Sequence, residues 1–182
     1  MVNIYPTIVD NPATFSLMLQ GFTATNSSSN IPASIIVDIS DVLLDSGAGL
    51  IGMPYKTTKS MARIANATLE NTMGLYMIDC KAMNKTSIKY TFDFGHLDIN
   101  VPLSELVSTP FGNNKCILGI QPVTNQITLG DAFLSSVYTV FDLDNYKISI
   151  AQANWATSKT QTKHTITNIH QNGTIKDAIF VK

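Results

Sequence analysis

The sequence has few charged residues and no long apolar run, and each absence removes a class of function. Only 14% of its 182 residues are charged, against about 25% in a typical soluble domain. A net charge of -1 provides no basic surface for nucleic acid or an anionic membrane. No apolar stretch reaches the roughly 18 residues of a membrane helix. The N-terminus has no signal-peptide pattern, so any secretion signal would have to lie upstream of Met1.

Cysteine is also scarce, and the two present, Cys80 and Cys116, are far apart in sequence. Neither belongs to a CxxC motif or has a histidine nearby, so we expect no zinc site and no other metal or cofactor. The residues alone leave two alternatives open, a disulfide or two buried free thiols. The chain also lacks a glycine-rich phosphate loop and an alternating strand–helix pattern, which argues against a nucleotide-binding fold.

Four sequons of the Asn-x-Ser/Thr type begin at Asn26, Asn66, Asn84 and Asn172. Together with two cysteines that could pair, they favour an oxidising compartment, because disulfides persist there and sequons mark secreted surfaces. We therefore expect a protein of the secretory pathway, located outside the cell or at its surface.

Hydrophobic periodicity predicts an all-β or β-rich chain with two or three short helices. Strands are expected over 15–20, 33–39, 42–44, 74–80 and 115–120, and hairpins over 88–101 and 137–151. We also expect a loop over 23–30, a helix over 57–69, a loop or a short helical turn over 102–105, and helical turns over 132–136. The length suits one domain, which we assign to residues 1–155. Residues 156–182 form a polar tail without periodicity, and their composition is compatible with disorder.

One acidic residue stands out from this pattern. Asp45 ends an apolar strand and opens the turn Asp45-Ser46-Gly47-Ala48-Gly49, after which a second apolar run begins. A carboxylate beside a core is costly unless it is hydrogen-bonded or has a function. The glycines let backbone N–H groups approach such a carboxylate closely. Asp45 is therefore either a catalytic carboxylate or a turn residue at a strand end.

A second motif far along the chain separates these two interpretations. Leu129-Gly130-Asp131-Ala132-Phe133-Leu134 is followed by Tyr138-Thr139-Val140-Phe141-Asp142, and both come after Leu43-Leu44-Asp45-Ser46-Gly47. In this order the motifs resemble the C-terminal lobe of a pepsin-like aspartic protease, closest to the fungal yapsin, barrierpepsin and candidapepsin branch. Further residues carry the closer resemblance: Leu75–Cys80, Phe92–Gly95, Cys116–Ile120 and Ile148–Ala153.

The resemblance implies a single lobe of a bilobal fold and a role for each residue. Asp45 would be one half of a carboxylate pair that shares a proton and activates water. The Ser46 hydroxyl would bind the backbone of the opposite lobe's loop. Gly47 would leave room for the substrate backbone, and Ala48 and Gly49 would lie beside that backbone. The remaining assignments are support of the catalytic loop by Leu129 and Gly130 and a disulfide between Cys80 and Cys116.

The sequence departs from the family pattern in two ways. The family usually has Thr-Thr where this chain has Ala48 and Gly49, so hydroxyls that bond the carboxylate and the substrate are missing. No second Asp-Thr/Ser-Gly motif is present either. We therefore predict an aspartic endopeptidase lobe that is inactive without an N-terminal lobe. Its partners would be that lobe and a polypeptide substrate, and nucleic acid is not among them.

Two alternatives remain. The chain could be a degenerate, non-catalytic lobe that serves as a fold or binding module or is left from a split gene. It could also form a homodimer in which two copies of Asp45 meet, although a lobe adapted to a different partner need not be self-complementary.

Overall fold

The structure, a computed structural model, describes residues 2–4, 14–27, 33–35, 39–85, 87–144 and 147–153. Strands dominate these residues, and the three α-helices among them are short. The predicted β-rich class, a single lobe of the pepsin-like fold, is confirmed. The tail predicted over 156–182 and part of the strand predicted over 33–39 lie outside the described residues.

The described elements are numbered in chain order. The strands are β1 Val2–Ile4, β2 Ser16–Leu19, β3 Gly21–Asn26, β4 Ala33–Ile35, β5 Ser40–Leu44, β6 Ile51–Pro54, β7 Thr68–Glu70, β8 Leu75–Asp79, β9 Ile88–Asp93, β10 Asp98–Pro102, β11 Val107–Gly112, β12 Lys115–Leu118, β13 Ile120–Val123, β14 Ile127–Leu129, β15 Val137–Asp142 and β16 Lys147–Gln152. The helices are α1 Tyr55–Ala65, α2 Leu103–Leu106 and α3 Asp131–Leu134, with a 3-10 helix over Cys80–Asn84.

A five-stranded sheet in the order β13-β6-β14-β5-β2 contains the strands on either side of Asp45. Strand β14 lies between β5 and β6, parallel to the first and antiparallel to the second. Their apolar side chains face the core, and Val42, Ile51 and Leu129 are fully buried. This sheet therefore fixes both ends of the loop that begins at Asp45.

Three further sheets complete the lobe, in the orders β10-β9-β3-β4, β11-β12-β8-β7 and β1-β16-β15. A disulfide between Cys80 and Cys116 ties the 3-10 helix to β12, with Cα atoms 5.0 Å apart. The pairing implied by the family resemblance is thus present. A covalent link that closes a loop of this length contributes about 2–4 kcal/mol to stability.

Aromatic rings fill the core between β3, β9 and α3. The Phe92 ring contacts Phe22 edge-on, with centroids 4.7 Å apart, and contacts Phe133 at 4.9 Å. Tyr90 is fully buried, and its hydroxyl donates a 2.8 Å hydrogen bond to the Met61 carbonyl of α1. A buried hydroxyl needs such a partner, so Tyr90 joins the helix to the sheet.

Several element bounds differ from the predicted ones. Helix α1 ends at Ala65 rather than at Leu69, because Asn66 adopts a left-handed conformation (φ 61°). The following Thr68–Glu70 segment then pairs with β8 as a strand. No helix in the described part of the chain is long and apolar enough to span a membrane.

The loop predicted over 23–30 is also partly wrong, because Gly21–Asn26 forms β3. Small polar residues hide its alternation, in which Phe22 and Ala24 are buried and Thr23 is exposed. Strands β11 and β13 have little periodicity of their own, and each pairs with a neighbour, β12 and β6 respectively.

Replacing Tyr90 with phenylalanine should lower the free energy of unfolding by about 1–2 kcal/mol at neutral pH, because the buried Met61 carbonyl loses its donor. Burial raises the pKa of the Tyr90 hydroxyl above its ordinary value of about 10. The unfolded chain therefore releases this proton more readily than the folded chain, and the wild type loses stability as pH rises above about 10. Urea unfolding should show the gap between wild type and Tyr90→Phe narrowing by about 1 kcal/mol between pH 9 and 11.

Tyr55→Phe is the matched control, since Tyr55 is half exposed. The free energy of unfolding of this variant should stay within about 0.5 kcal/mol of wild type at neutral pH. A gap between wild type and Tyr90→Phe that does not change with pH would contradict the assignment.

Candidate active site

The loop of residues 45–50 connects β5 to β6 and presents Asp45 at its start. The Asp45 side chain is half-buried, and its Oδ1 accepts a 2.8 Å hydrogen bond from the Gly47 N–H. The Ala48 N–H donates to the Asp45 carbonyl at 3.1 Å, which closes the turn. Within the described residues, Gly47 is the one hydrogen-bond donor to this carboxylate. The carboxylate is therefore held by a backbone group.

The chain crosses behind this loop at Leu129 and Gly130. The Asp45 N–H donates to the Leu129 carbonyl at 3.2 Å, and the Asp131 N–H donates to the Ala48 carbonyl at 2.7 Å. A third bond, 3.3 Å long, runs from the Ala132 N–H to the Gly49 carbonyl. The distant segment thus satisfies backbone groups of a loop that has no regular structure of its own.

Gly130 allows the two segments to approach this closely. A Cβ atom at this position would overlap the carbonyl oxygens of Ala48 and Leu50, which are backbone atoms and cannot rotate away. Leu129 is fully buried beside it and pairs with Leu44 on one side and Ile51 on the other. The structure therefore brings Leu129 and Gly130 against the loop that begins at Asp45.

The opposite face of the loop is open. Ser46, Gly47 and Gly49 are exposed, and Ala48 is half-buried. A Cβ at Gly47 would lie 3.1 Å from the Asp45 Oδ1, whereas one at Gly49 would meet no atom within 4 Å. Neither Ala48 nor Gly49 offers a hydroxyl group on this face.

Gly119 also supports the loop, and sequence analysis did not identify it. Its carbonyl accepts a 2.9 Å hydrogen bond from the Ile51 N–H, where β6 begins. A Cβ here would crowd the Ala132 side chain and the Leu106 carbonyl. A glycine inside a short apolar strand signals such a close approach, but its neighbours are known only from the fold.

The disulfide lies in a different sheet from the Asp45 loop, so Cys80 and Cys116 act on stability rather than on the site. Among the residues that the structure describes, no group of three His, Cys, Asp or Glu side chains could hold a metal ion.

Comparison with known proteins gives matches along most of the chain. The family model described as eukaryotic aspartyl protease matches residues 2–153. Barrierpepsin of Saccharomyces cerevisiae is 45% identical over 179 residues, which are 98% of this chain and 30% of the relative. Aspartic proteinase yapsin-3 of the same yeast is 38% identical over 164 residues, 87% of this chain and 31% of the relative. The similarity to the fungal branch is confirmed.

A less similar relative also matches most of this chain and a small part of its own length. Secreted aspartic protease 9 of Candida albicans is 30% identical over 138 residues, 74% of this chain and 25% of the relative. The chain thus spans about a third or less of the length of the curated relatives it matches.

Gly130→Ala should lower the free energy of unfolding by about 3 kcal/mol or more, because the added methyl group overlaps two backbone carbonyls and forces the segments apart. Gly49→Ala is the matched control in the same site. It has open space around the new methyl group, so stability should be unchanged or raised by up to about 1 kcal/mol. Urea unfolding of the two variants measures the difference, and equal stabilities would contradict the tight crossing.

Proposed function

This chain belongs to the eukaryotic aspartyl protease family, and we propose that it supplies one half of the catalytic centre of an aspartic endopeptidase, as a C-terminal-type lobe. The observation that supports this most directly is the position of Asp45. Its carboxylate stands at the start of an exposed loop, held by the Gly47 N–H and supported from behind by Leu129 and Gly130.

The chemistry requires a second carboxylate close to Asp45. Two such groups cannot both ionise, because like charges repel at short range, so the pair shares one proton. The ionised group takes a proton from water as general base, and the protonated group polarises the carbonyl of the scissile peptide bond. In this chain the Gly47 N–H fixes the orientation of Asp45, and the exposed loop residues 46–49 border the path of the substrate.

The second carboxylate comes from an N-terminal lobe, either on the same longer polypeptide or on a separate one. The short coverage of the relatives supports this, and so does an exposed apolar surface on the lobe. Phe15 and Phe141 are each 43% exposed, and their rings pack edge to face with centroids 4.8 Å apart. Leu143 beside them is 65% exposed. Exposed apolar groups at a sheet edge are typical of an interaction surface, and β15 is an edge strand among the described residues.

The location that we propose is the secretory pathway, with the mature protein outside the cell or at its surface. The Cys80–Cys116 disulfide supports this, because structural disulfides persist mainly in oxidising compartments. The Candida albicans relative is itself named a secreted protease.

One observation favours the alternative of a degenerate, non-catalytic lobe. Neither Ala48 nor Gly49 provides a hydroxyl group, so the Asp45 carboxylate and the substrate each lose a bonding partner. Restoring activity with a second lobe separates the two proposals, because a degenerate lobe gains nothing from it. A homodimer through Asp45 would instead appear as peptidase activity of the chain alone.

We expect the isolated chain to show no peptide hydrolysis at acidic pH, and a fusion to the N-terminal lobe of barrierpepsin to show hydrolysis that pepstatin inhibits. Asp45→Asn in this fusion should reduce kcat/KM at least about a thousandfold, because carboxylates that act as a pair fail together. Cleavage of an unstructured protein substrate measures the effect.

Asp41→Asn is the matched control, since Asp41 is an exposed residue of β5, the strand that leads to Asp45. This variant should leave kcat/KM within about twofold of the unmodified fusion. Barrierpepsin with both of its own lobes is the positive control for the assay. A folded but inactive fusion would favour the degenerate lobe.

Ala48→Thr combined with Gly49→Thr should raise kcat/KM of the fusion by about 10- to 150-fold, because one added hydrogen bond to a charged group is worth about 1.5–3 kcal/mol. Space exists at position 49, where an added Cβ meets no atom within 4 Å. Ala48→Val with Gly49→Ser adds comparable bulk at position 48 without a hydroxyl there, and it separates the effect of that hydroxyl from packing. No gain from the threonine pair would contradict the role assigned to these positions.

A further inference from the structure

The region where α1 ends combines an exposed sequon with an open cleft. Asn66, Ala67 and Thr68 form the Asn-x-Thr sequence there, and the side chains of Asn66 and Thr68 are both exposed. This is the sequon whose three residues all belong to the described part of the chain. Glycans require an exposed asparagine with room above it, and this site meets that requirement.

The backbone presents Asn66 outward. Its left-handed conformation (φ 61°, ψ 42°) ends α1, while its N–H and that of Ala67 turn back to the carbonyls of α1. Asparagine tolerates this conformation well, so the helix end by itself explains its presence. The helix end places no demand on Thr68, which begins the edge strand β7 and completes the acceptor sequence.

The same asparagine lines a cleft of about 340 Å³ between α1, β7 and β8. Tyr55, a residue that is 51% exposed, forms part of its wall, and Lys59 and Arg63 line it as well. The Lys59 Nζ lies over the Tyr55 ring, 5.7 Å from its centroid. The apolar C–H face of a pyranose ring packs well on an aromatic ring. The two cationic side chains supply N–H donors for sugar oxygens.

We propose that Asn66 carries an N-linked glycan and that its first sugar packs in this cleft against Tyr55. The proposal rests on the secretory location proposed above. The glycan would cover the exposed Tyr55 ring and the cleft floor, so the modification would stabilise the lobe as well as solubilise it.

The modification is tested by expressing the chain in yeast behind a secretion leader and treating it with endoglycosidase H. The tryptic peptide over residues 64–81 contains this sequon alone. It should carry one N-acetylglucosamine on Asn66. Thr68→Ala should abolish the modification, whereas Thr68→Ser should retain it, and neither variant alters Asn66. A secreted chain with unmodified Asn66 would overturn the proposal.

The packing is tested by the melting temperature of the secreted chain that carries Asn26→Gln, Asn84→Gln and Asn172→Gln, so that Asn66 is the one sequon left. After trimming to one sugar, this chain should have a higher melting temperature than its unglycosylated Thr68→Ala variant, in which Asn66 itself is unchanged. This difference should disappear in Tyr55→Ala and persist in Phe111→Ala, an exposed aromatic residue outside the cleft. A difference that survives Tyr55→Ala would overturn the packing of the sugar on Tyr55.

Neither readout requires peptidase activity. The leader also forces entry into the secretory pathway, so a wrong assignment of function or location would leave both tests decisive.

Discussion

The backbone crossing at Leu129 and Gly130 is the contact on which the rest of the site depends. A loop between two strands has peptide groups that need partners, and water would satisfy them equally well in many arrangements. Here the Leu129 carbonyl and the Asp131 and Ala132 N–H groups bond to that loop. These hydrogen bonds confine the loop to one arrangement. The carboxylate at its start therefore has a fixed position, although Asp45 lies in neither a helix nor a strand.

This crossing was implied by the resemblance to pepsin-like proteases, and that resemblance depends on two motifs with strong local signatures. An apolar run ending in Asp45-Ser46-Gly47 and a Leu129-Gly130 pair need only a few residues each to be noticed. Strands with clear alternation, such as β9 and β10, were equally visible. The end of α1 was missed because the left-handed turn at Asn66 interrupts a pattern of apolar residues that continues to Leu69.

Other elements escaped prediction because their reason for existing lies elsewhere in the fold. Strand β3 alternates small residues, so its burial appears only once β9 lies beside it. Gly119 is similar, since its contact with Ile51 arises from the position of β13 next to β6. A local sequence pattern predicts an element when the residues that stabilise it are near in sequence. It fails when pairing with a distant strand determines the structure.

The scaffold and the chemical groups of the site are separable in this chain. The turn, the crossing and the close approach at Gly130 are all present, and they depend on backbone atoms. Ala48 and Gly49 have no hydroxyl groups, whereas their backbone carbonyls still accept the hydrogen bonds from the Asp131 and Ala132 N–H groups. Substitution at such positions alters reactivity while folding is preserved.

The crossing can form only late in the synthesis of the chain. The loop after Asp45 leaves the ribosome well before Leu129 and Gly130, and its peptide groups remain bonded to water until those residues arrive. Translation proceeds at about 5–20 residues per second. For several seconds, therefore, the Asp45 carboxylate of an emerging chain has no fixed position. The loop that presents Asp45 is therefore completed late, after most of the described strands have been synthesised.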